Sequence, residues 1–468
     1  MTIDELHGRI DRDWKDHLRQ TRDLLRIPSV SMTGEGIEES AEAISKILSR
    51  MGVRTTLFKH DGKGFPLVGG HLDAGADRDC LVYGMYDVQP VGELDHWEHP
   101  PFDATIVESE PLGEILVNRG VYNSKGALAG ILLAIETMQE ADDLPMNVHF
   151  LIEGEEEIGG RSFPEYVKQN RDRLSEAKCA LSFDYLENSS GTPAITLGVK
   201  GCIYMDLRTS GSTRGGPTEE THSSEAVWVE SPVWRLIHAI SSMVDSDQRP
   251  AIDGLWDDVR GADDDDRSRI AELAKVFRPE DYLRGLGVER FKGEGTAEEL
   301  LTRYMFEPSV NVDGILAGYT QKGCKTVLPP EATCKIDIRL VPDMTIEGTR
   351  RRILEHLRRR GFDDVRVTDF ENYPWSKIPA TETVSRAITE AMRFHGREPE
   401  VWPMSAGSAP MYLFDQVLGV PWGAAGLGHG GNAHAPNEFA VVEKMKDFEK
   451  SVVTVFHKFV ELDDLDSP

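Results

Sequence analysis

Glu153, Glu155, Glu156 and Glu157 crowd one short stretch between Leu151-Ile152 and Gly159-Gly160. The preceding Met146-Asn147-Val148-His149-Phe150 is rich in β-branched and aromatic residues and predicts a buried strand. Ionised carboxylates this close repel one another, and they avoid the end of a buried strand unless a proton or a cation is shared there. Two readings follow. Charge runs are usually solvated, which makes the stretch an acidic surface turn. The alternative is a metal site in which one glutamate holds a divalent ion and its neighbour moves protons.

Composition narrows the partners. The chain has 468 residues, enough for two or three domains, and a formal net charge of −28. That charge argues against nucleic acid and anionic membranes as partners and leaves a small molecule. Any anion site must therefore be made by local basic groups. Cys80, Cys179, Cys202, Cys324 and Cys334 lack zinc-finger or redox spacing, so reduced thiols and a cytoplasmic location are expected. The first residues show neither a basic segment nor an apolar one, and no apolar run is long enough to span a bilayer.

The elements that must position the glutamates alternate. Helices are expected over 4–26 and 37–51, and a strand over 53–60. Cys80-Leu81-Val82-Tyr83-Gly84 reads as a short strand running into Met85-Tyr86-Asp87. Arg119 to Gly126 turns into a helix marked by Leu128, Ile131, Leu132, Ile135 and Met138. The glutamate strand, a helix and Cys179 to Asp184 follow. This alternation predicts an α/β domain with a mostly parallel sheet, whose chemistry gathers beyond the carboxyl ends of its strands. From Gly201 the pattern changes to an α+β segment, with a strand over 202–209, a loop holding His222, a loose acidic stretch at 252–267, a strand over 334–341 and an arginine-rich helix at 346–360. Those arginines fit a solvated helix face better than a nucleic-acid patch. From 381 the α/β pattern resumes, with a strand at 419–424, a glycine-rich loop holding His429 and His434, and a last helix that gives way to a loose acidic end from Glu461. The expected division is 1–200 and 381–468 for one domain and 201–380 for an insert.

In order along the chain, several motifs resemble those of the dinuclear zinc exopeptidases, the family of carnosinases, aminoacylases, glutamate carboxypeptidases and succinyl-diaminopimelate desuccinylase. They are Tyr83-Gly84-x-x-Asp87, Trp97-x-x-x-Pro101-Phe102, Arg119-Gly120 with Lys125-Gly126, Glu153-Gly154-x-Glu156-Glu157-x-Gly159, Asp184, Ile338-Arg339-Leu340-Val341-Pro342-Asp343 and His434-x-x-Asn437-Glu438. The carnosinase-like branch is the best match. The resemblance implies a phosphorylase/hydrolase-like catalytic α/β domain interrupted by an α+β lid that also dimerises. It implies that Glu156 is the general base toward a metal-activated water, that Glu157, Asp184 and His434 bind metal, and that His222 stabilises an oxyanion in the neighbouring subunit's site. Arg339 matches the residue that holds a substrate carboxylate, a task suited to a guanidinium fork. Ser408 falls in a substrate-contacting loop.

Two positions depart from the pattern, and both strike the metals. Where the family has a histidine ligand this chain has Met85, and a thioether is a poor partner for zinc or manganese. Where the family has a bridging aspartate this chain has Asn123, whose amide oxygen is uncharged. The expectation is one divalent ion per chain, zinc or manganese, on Glu157 and His434. Asp184 would stand near it, and Asn123, His429 and Asp87 are further candidates for the shell. The expected activity is hydrolysis of a C–N bond in a dipeptide or N-acyl amino acid. A hydrolase diverged toward a non-peptide amide, amidine or aromatic amine, and a binding protein without catalysis, are the alternatives.

Overall fold

The protein is described by a computed structural model that covers residues 1–188 and 190–466. The chain forms two units. The first comprises Met1–Leu197, Ile378–Trp402 and Leu413–Pro468, and the second Gly198–Lys377 with Pro403–Tyr412. The segment 403–412, expected with the last catalytic part, thus belongs to the second unit, and it carries Ser408 there.

The first unit is built on a six-stranded sheet in the order Thr56–Phe58, Leu67–Leu72, Asn147–Glu153, Asp79–Met85, Cys179–Phe183, Trp422–Ala425. The last four strands run parallel, while Thr56–Phe58 and Leu67–Leu72 pair antiparallel at one side. The sheet is therefore mixed, with a parallel centre. The strand expected over 53–60 shortens to three residues, whose side chains stay largely exposed. Asn147–Glu153 is buried along its whole length, as a central strand covered on both faces must be. Helix Lys125–Glu140 links Asp79–Met85 to Asn147–Glu153 and packs against Ile3–Leu25 and Val442–Asp466. The last helix does not fray at Glu461 as expected. It runs to Asp466, because Arg78 binds Asp463 (2.7 Å) and Asp464, and Arg386 and Thr383 each bind Asp466 at 2.8 Å. Among the described residues no helix is long and apolar enough to cross a membrane.

The second unit is α+β. Its antiparallel sheet has the order Ser309–Ala317, Glu331–Leu340, Gly201–Ser210, Arg366–Tyr373. Ile203, Met205 and Leu207 alternate inward with Ile336, Ile338 and Leu340, and they meet Leu236 and Ala239 of helix Pro232–Ser241 and Ile353 and Leu357 of helix Ile346–Arg359. The acidic stretch expected to be loose at 252–267 instead starts a helix, Asp264–Val276, capped reciprocally by Asp263 and Asp266.

Candidate active site

The carboxyl ends of the parallel strands carry Met85, Glu153 and, just past Phe183, Asp184. Met85 lies opposite Glu153 in the parallel register. Asp87 follows two residues later and is fully buried. Its Oδ1 accepts the backbone N–H of Glu156 (3.1 Å) and its Oδ2 that of Glu157 (3.0 Å). Both oxygens thus hold the turn that carries Glu156 and Glu157. Burial pushes the Asp87 carboxyl up to about 7, against the pull of those amide hydrogen bonds.

The four glutamates divide by role. Glu153 is buried and accepts from the Tyr83 hydroxyl at 2.9 Å, and burial drives its carboxyl well above the ordinary range. Glu155 is buried too. It accepts the amide of Phe65 on Oε1 and those of Arg161 and Ser162 on Oε2, which fastens the loops on either side. That leaves Glu156 and Glu157, adjacent on the short 3-10 turn Glu156–Ile158. Burial, with Glu157, Asp87 and Asp184 adding negative charge around it, raises Glu156 to about 8. Burial raises Asp184 to about 6. Burial thus pushes Asp87, Glu153, Glu156 and Asp184 all toward their neutral forms.

Glu157 meets the loop residues. Gln89 Nε2 donates to its Oε2 at 2.9 Å, and Asn123 Nδ2 donates to its Oε1 at 2.7 Å. His434 Nε2 lies 3.1 Å from the same Oε1 and 2.9 Å from Asn123 Nδ2. Its hydrogen bond to Glu157 raises the His434 pKa. His434 holds a left-handed backbone, φ 61°, and Ser124, next to Asn123, has φ 110°. Strained conformations of this kind persist where the surroundings over-determine them. Glu438 fixes the loop just before Ser124. Its Oε1 accepts the amides of Tyr122 and Asn123 (both 2.9 Å), and its Oε2 accepts the amide of Gly120 and pairs with buried Arg119 at 2.7 Å. Gln89 and Glu438 are the neighbours of Glu157 and Asn123 that residue type alone did not single out. Glu438 could have been found as the acidic end of the His434-x-x-Asn437-Glu438 motif.

Other expected residues are placed differently. His429 Nδ1 faces the Glu187 carbonyl at 3.0 Å, and its ring meets Phe439 edge-on, so contacts with Glu187 and with strand Phe439–Val441 hold it. Asp184 does not join Glu157 and His434 in a three-donor cluster. Among the described residues the one such cluster of His, Cys, Asp and Glu is His71, Asp79 and His149. In the second unit, His222 is exposed, with Nδ1 2.8 Å from Ser224 Oγ and Nε2 3.1 Å from Thr326 Oγ1. Arg339 donates from Nε to Asp337 Oδ1 and from Nη1 to Ser408 Oγ, both at 2.9 Å. Lys200 stands in the same unit with Nζ on the Glu307 carbonyl. Burial first, then the Arg339 charge, lower it to about 8.

Two ligands each about 2.0–2.1 Å from a tetrahedral zinc ion sit roughly 3.3 Å apart. Glu157 Oε1 and His434 Nε2, 3.1 Å apart, fit one divalent ion. Met85 and the amide of Asn123 add no anionic donor beside that pair.

A parallel-centred sheet with Glu156 and Glu157 just past the end of its central strand, a loop histidine paired to Glu157, and an α+β unit in the same chain together define a two-unit α/β protein. The chain belongs to peptidase family M20/M25/M40, whose model matches residues 81–459. It is 30% identical over 278 residues to the Beta-Ala-His dipeptidase of Rattus norvegicus, covering 59% of this chain and 54% of that protein. To the Cys-Gly metallodipeptidase dug1 of Schizosaccharomyces pombe it is 25% identical, over 76% of each chain. The match thus spans about half the length of the rat relative and three quarters of the yeast one. An M20 family metallo-carboxypeptidase from Sulfolobus solfataricus superposes with a TM-score of 0.87 at 33% identity, over 95% of this chain and 99% of that one. Human carnosine dipeptidase 1 shares the fold, with a TM-score of 0.80 at 23% identity over 98% and 99% of the two chains.

Proposed function

We propose that the chain is a metal-dependent hydrolase of peptide C–N bonds that acts on a dipeptide or an N-acyl amino acid with a free carboxylate. The convergence of Glu157 and His434 beside Glu156 carries this reading. The relatives' names, Beta-Ala-His dipeptidase and Cys-Gly metallodipeptidase, support the substrate class. One zinc or manganese ion, held by Glu157 and His434 with Asp184 nearby, would polarise the scissile carbonyl and ease the ionisation of water. Glu156 takes the proton of the attacking water and returns it to the leaving nitrogen. The Glu157 carboxylate is oriented by Gln89 and Asn123, and the turn is fixed by Asp87. Arg339, steadied by Asp337 and Ser408, takes the substrate carboxylate, and His222 donates to the oxyanion across a homodimer.

The dimer reading is supported by apolar surface on the second unit. Strand Ser309–Ala317 is the sheet's outer strand and exposes Val312, Ile315 and Leu316. Val227, Trp228, Trp234 and Ile237 line a cavity of about 650 Å³ on the same unit. A cytoplasmic setting fits five free cysteines, of which Cys80, Cys179 and Cys334 are buried.

The test is turnover of a dipeptide panel by the zinc- or manganese-loaded chain and its Glu156→Gln variant. Release of free amino acids by the wild type, reduced about 10²–10⁴-fold in the variant, is the expected outcome. No turnover of any dipeptide or N-acyl amino acid by the metal-loaded wild type would overturn the reading.

A further inference from the structure

At the other end of the central sheet, away from Glu156, two histidines and an aspartate face one another. His71, near the end of Leu67–Leu72, is the direct cross-strand partner of His149 in Asn147–Glu153. Directly opposed residues on antiparallel strands point to the same face of the sheet. Their rings stack with centroids 4.3 Å apart and planes 28° from parallel. Asp79 opens the strand that ends at Met85. At about 3.3 Å per residue, the two ends of that strand lie roughly 20 Å apart. The cluster is therefore separate from the glutamate turn.

Its geometry is that of a preformed ligand set. Asp79 Oδ2 lies 2.9 Å from His149 Nε2 and 3.8 Å from His71 Nε2. One donor atom from each residue lies within 4.8 Å of the other two. His71 Nε2 is shut off from solvent and has no hydrogen-bond partner. A buried imidazole nitrogen left unpaired is costly, and a cation between it and the carboxylate removes that cost. The carboxylate is held for the purpose. Asn147 Nδ2 donates to Asp79 Oδ1 at 2.7 Å and to the Ala76 carbonyl, while its Oδ1 accepts the amides of Ala74 and Ala76. The other oxygen, Oδ2, is left toward the two rings. Such outer hydrogen bonds orient ligands in metal sites. The side chains of His71 and Asp79 are about one-third exposed, which gives an ion a way in from solvent.

We propose that His71, Asp79 and His149 form a second, structural site for a zinc-type divalent ion, with water as the fourth ligand. Two imidazoles and one carboxylate form a borderline-soft donor set that suits zinc and disfavours magnesium and calcium. The ion clips the amino end of the central strand Asp79–Met85 to the antiparallel pair beside it. His149 Nδ1 is buried without an acceptor, so this ligand lacks the outer partner that metal-binding histidines usually have. That omission lowers affinity by roughly 10- to 100-fold against a fully supported site. The proposal stands apart from the active-site reading, and it changes how metal content is interpreted: two ions per chain need not mean a dinuclear centre.

The test removes the active-site ligand first. The full-length His434→Ala chain is titrated with zinc in competition with a chromophoric chelator, alongside His434→Ala/His71→Gln. The expected result is one zinc per chain in the first and none in the second, with zinc raising the melting temperature of the first only. Cobalt loading supplies a second readout that does not depend on the double variant. Four-coordinate visible bands should persist in His434→Ala and vanish in that chain when zinc is added. Single His71→Gln should keep dipeptide turnover, which shows that it folds. No zinc on His434→Ala, or equal zinc on both chains, would overturn the proposal and leave an Asp–His hydrogen bond that merely ties the strands.

Discussion

Asn123 places its side-chain nitrogen 2.7 Å from Glu157 Oε1, donating a hydrogen bond to the carboxylate that the proposed ion would bind. An amide in this place satisfies that carboxylate with a hydrogen bond without a metal. A carboxylate there would do the opposite. Asn123→Asp should therefore make the chain depend on metal. With chelator present, two acids in contact should lower its stability by about 1–3 kcal/mol. With zinc, the variant should recover and hold one more ion per chain than the wild type. Denaturant melts with and without zinc, together with metal analysis, check both. A variant equally stable in chelator and in zinc would contradict this account of Asn123.

Asp87 makes a second prediction. Its two oxygens each accept a backbone amide of the Glu156–Glu157 turn. Asp87→Asn keeps the shape but turns one acceptor into a donor facing an N–H. The cost should be about 1–3 kcal/mol of stability. Because the turn carries the base, kcat should fall more than KM rises, which steady-state kinetics on the preferred dipeptide would show.

Stability should also carry an acid signature far from the active site. His395 stacks on His7 at 5.2 Å and meets Thr454 Oγ1 at 2.9 Å. Burial, followed by the nearby His7, Lys450 and Arg397, lowers its pKa to about 4. Between about pH 6.5 and pH 4 the unfolded chain binds this proton and the folded chain does not. Stability is thus present above the unfolded pKa and falls as pH drops through that window, by at most about 3 kcal/mol. His7, also lowered by burial, adds in the same direction. His395→Gln should flatten the loss of stability between pH 6.5 and pH 4. An unchanged slope would show that other groups set it.

Much of this was legible in the sequence, for physical reasons. The alternation of buried strand and helix marked the parallel centre, and the glutamates do lie at the end of a buried strand. What the sequence could not apportion was the division among the glutamates. Glu153 and Glu155 have the same side chain as Glu156 and Glu157, yet Tyr83 and the amides of Phe65, Arg161 and Ser162 claim them. Only the fold decides which acids are left over. The acidic terminus misled for a related reason. Its aspartates look solvated in a window of sequence, but Arg78 and Arg386, distant in the chain, hold them in a helix. The pairing of His71 with His149 needed the strand register, which no local pattern shows. Ser408 and Arg339, far apart in sequence, meet because 403–412 returns to the second unit.

The central claim is a single catalytic ion held by Glu157 and His434. Metal analysis of wild type and His434→Ala, purified without chelator and loaded with zinc or manganese, tests it most directly when dipeptide turnover is followed on the same samples. The account predicts that the variant loses one ion per chain and its activity with it. Loss of two ions on that single substitution, or activity that survives with the ion count unchanged, would contradict it.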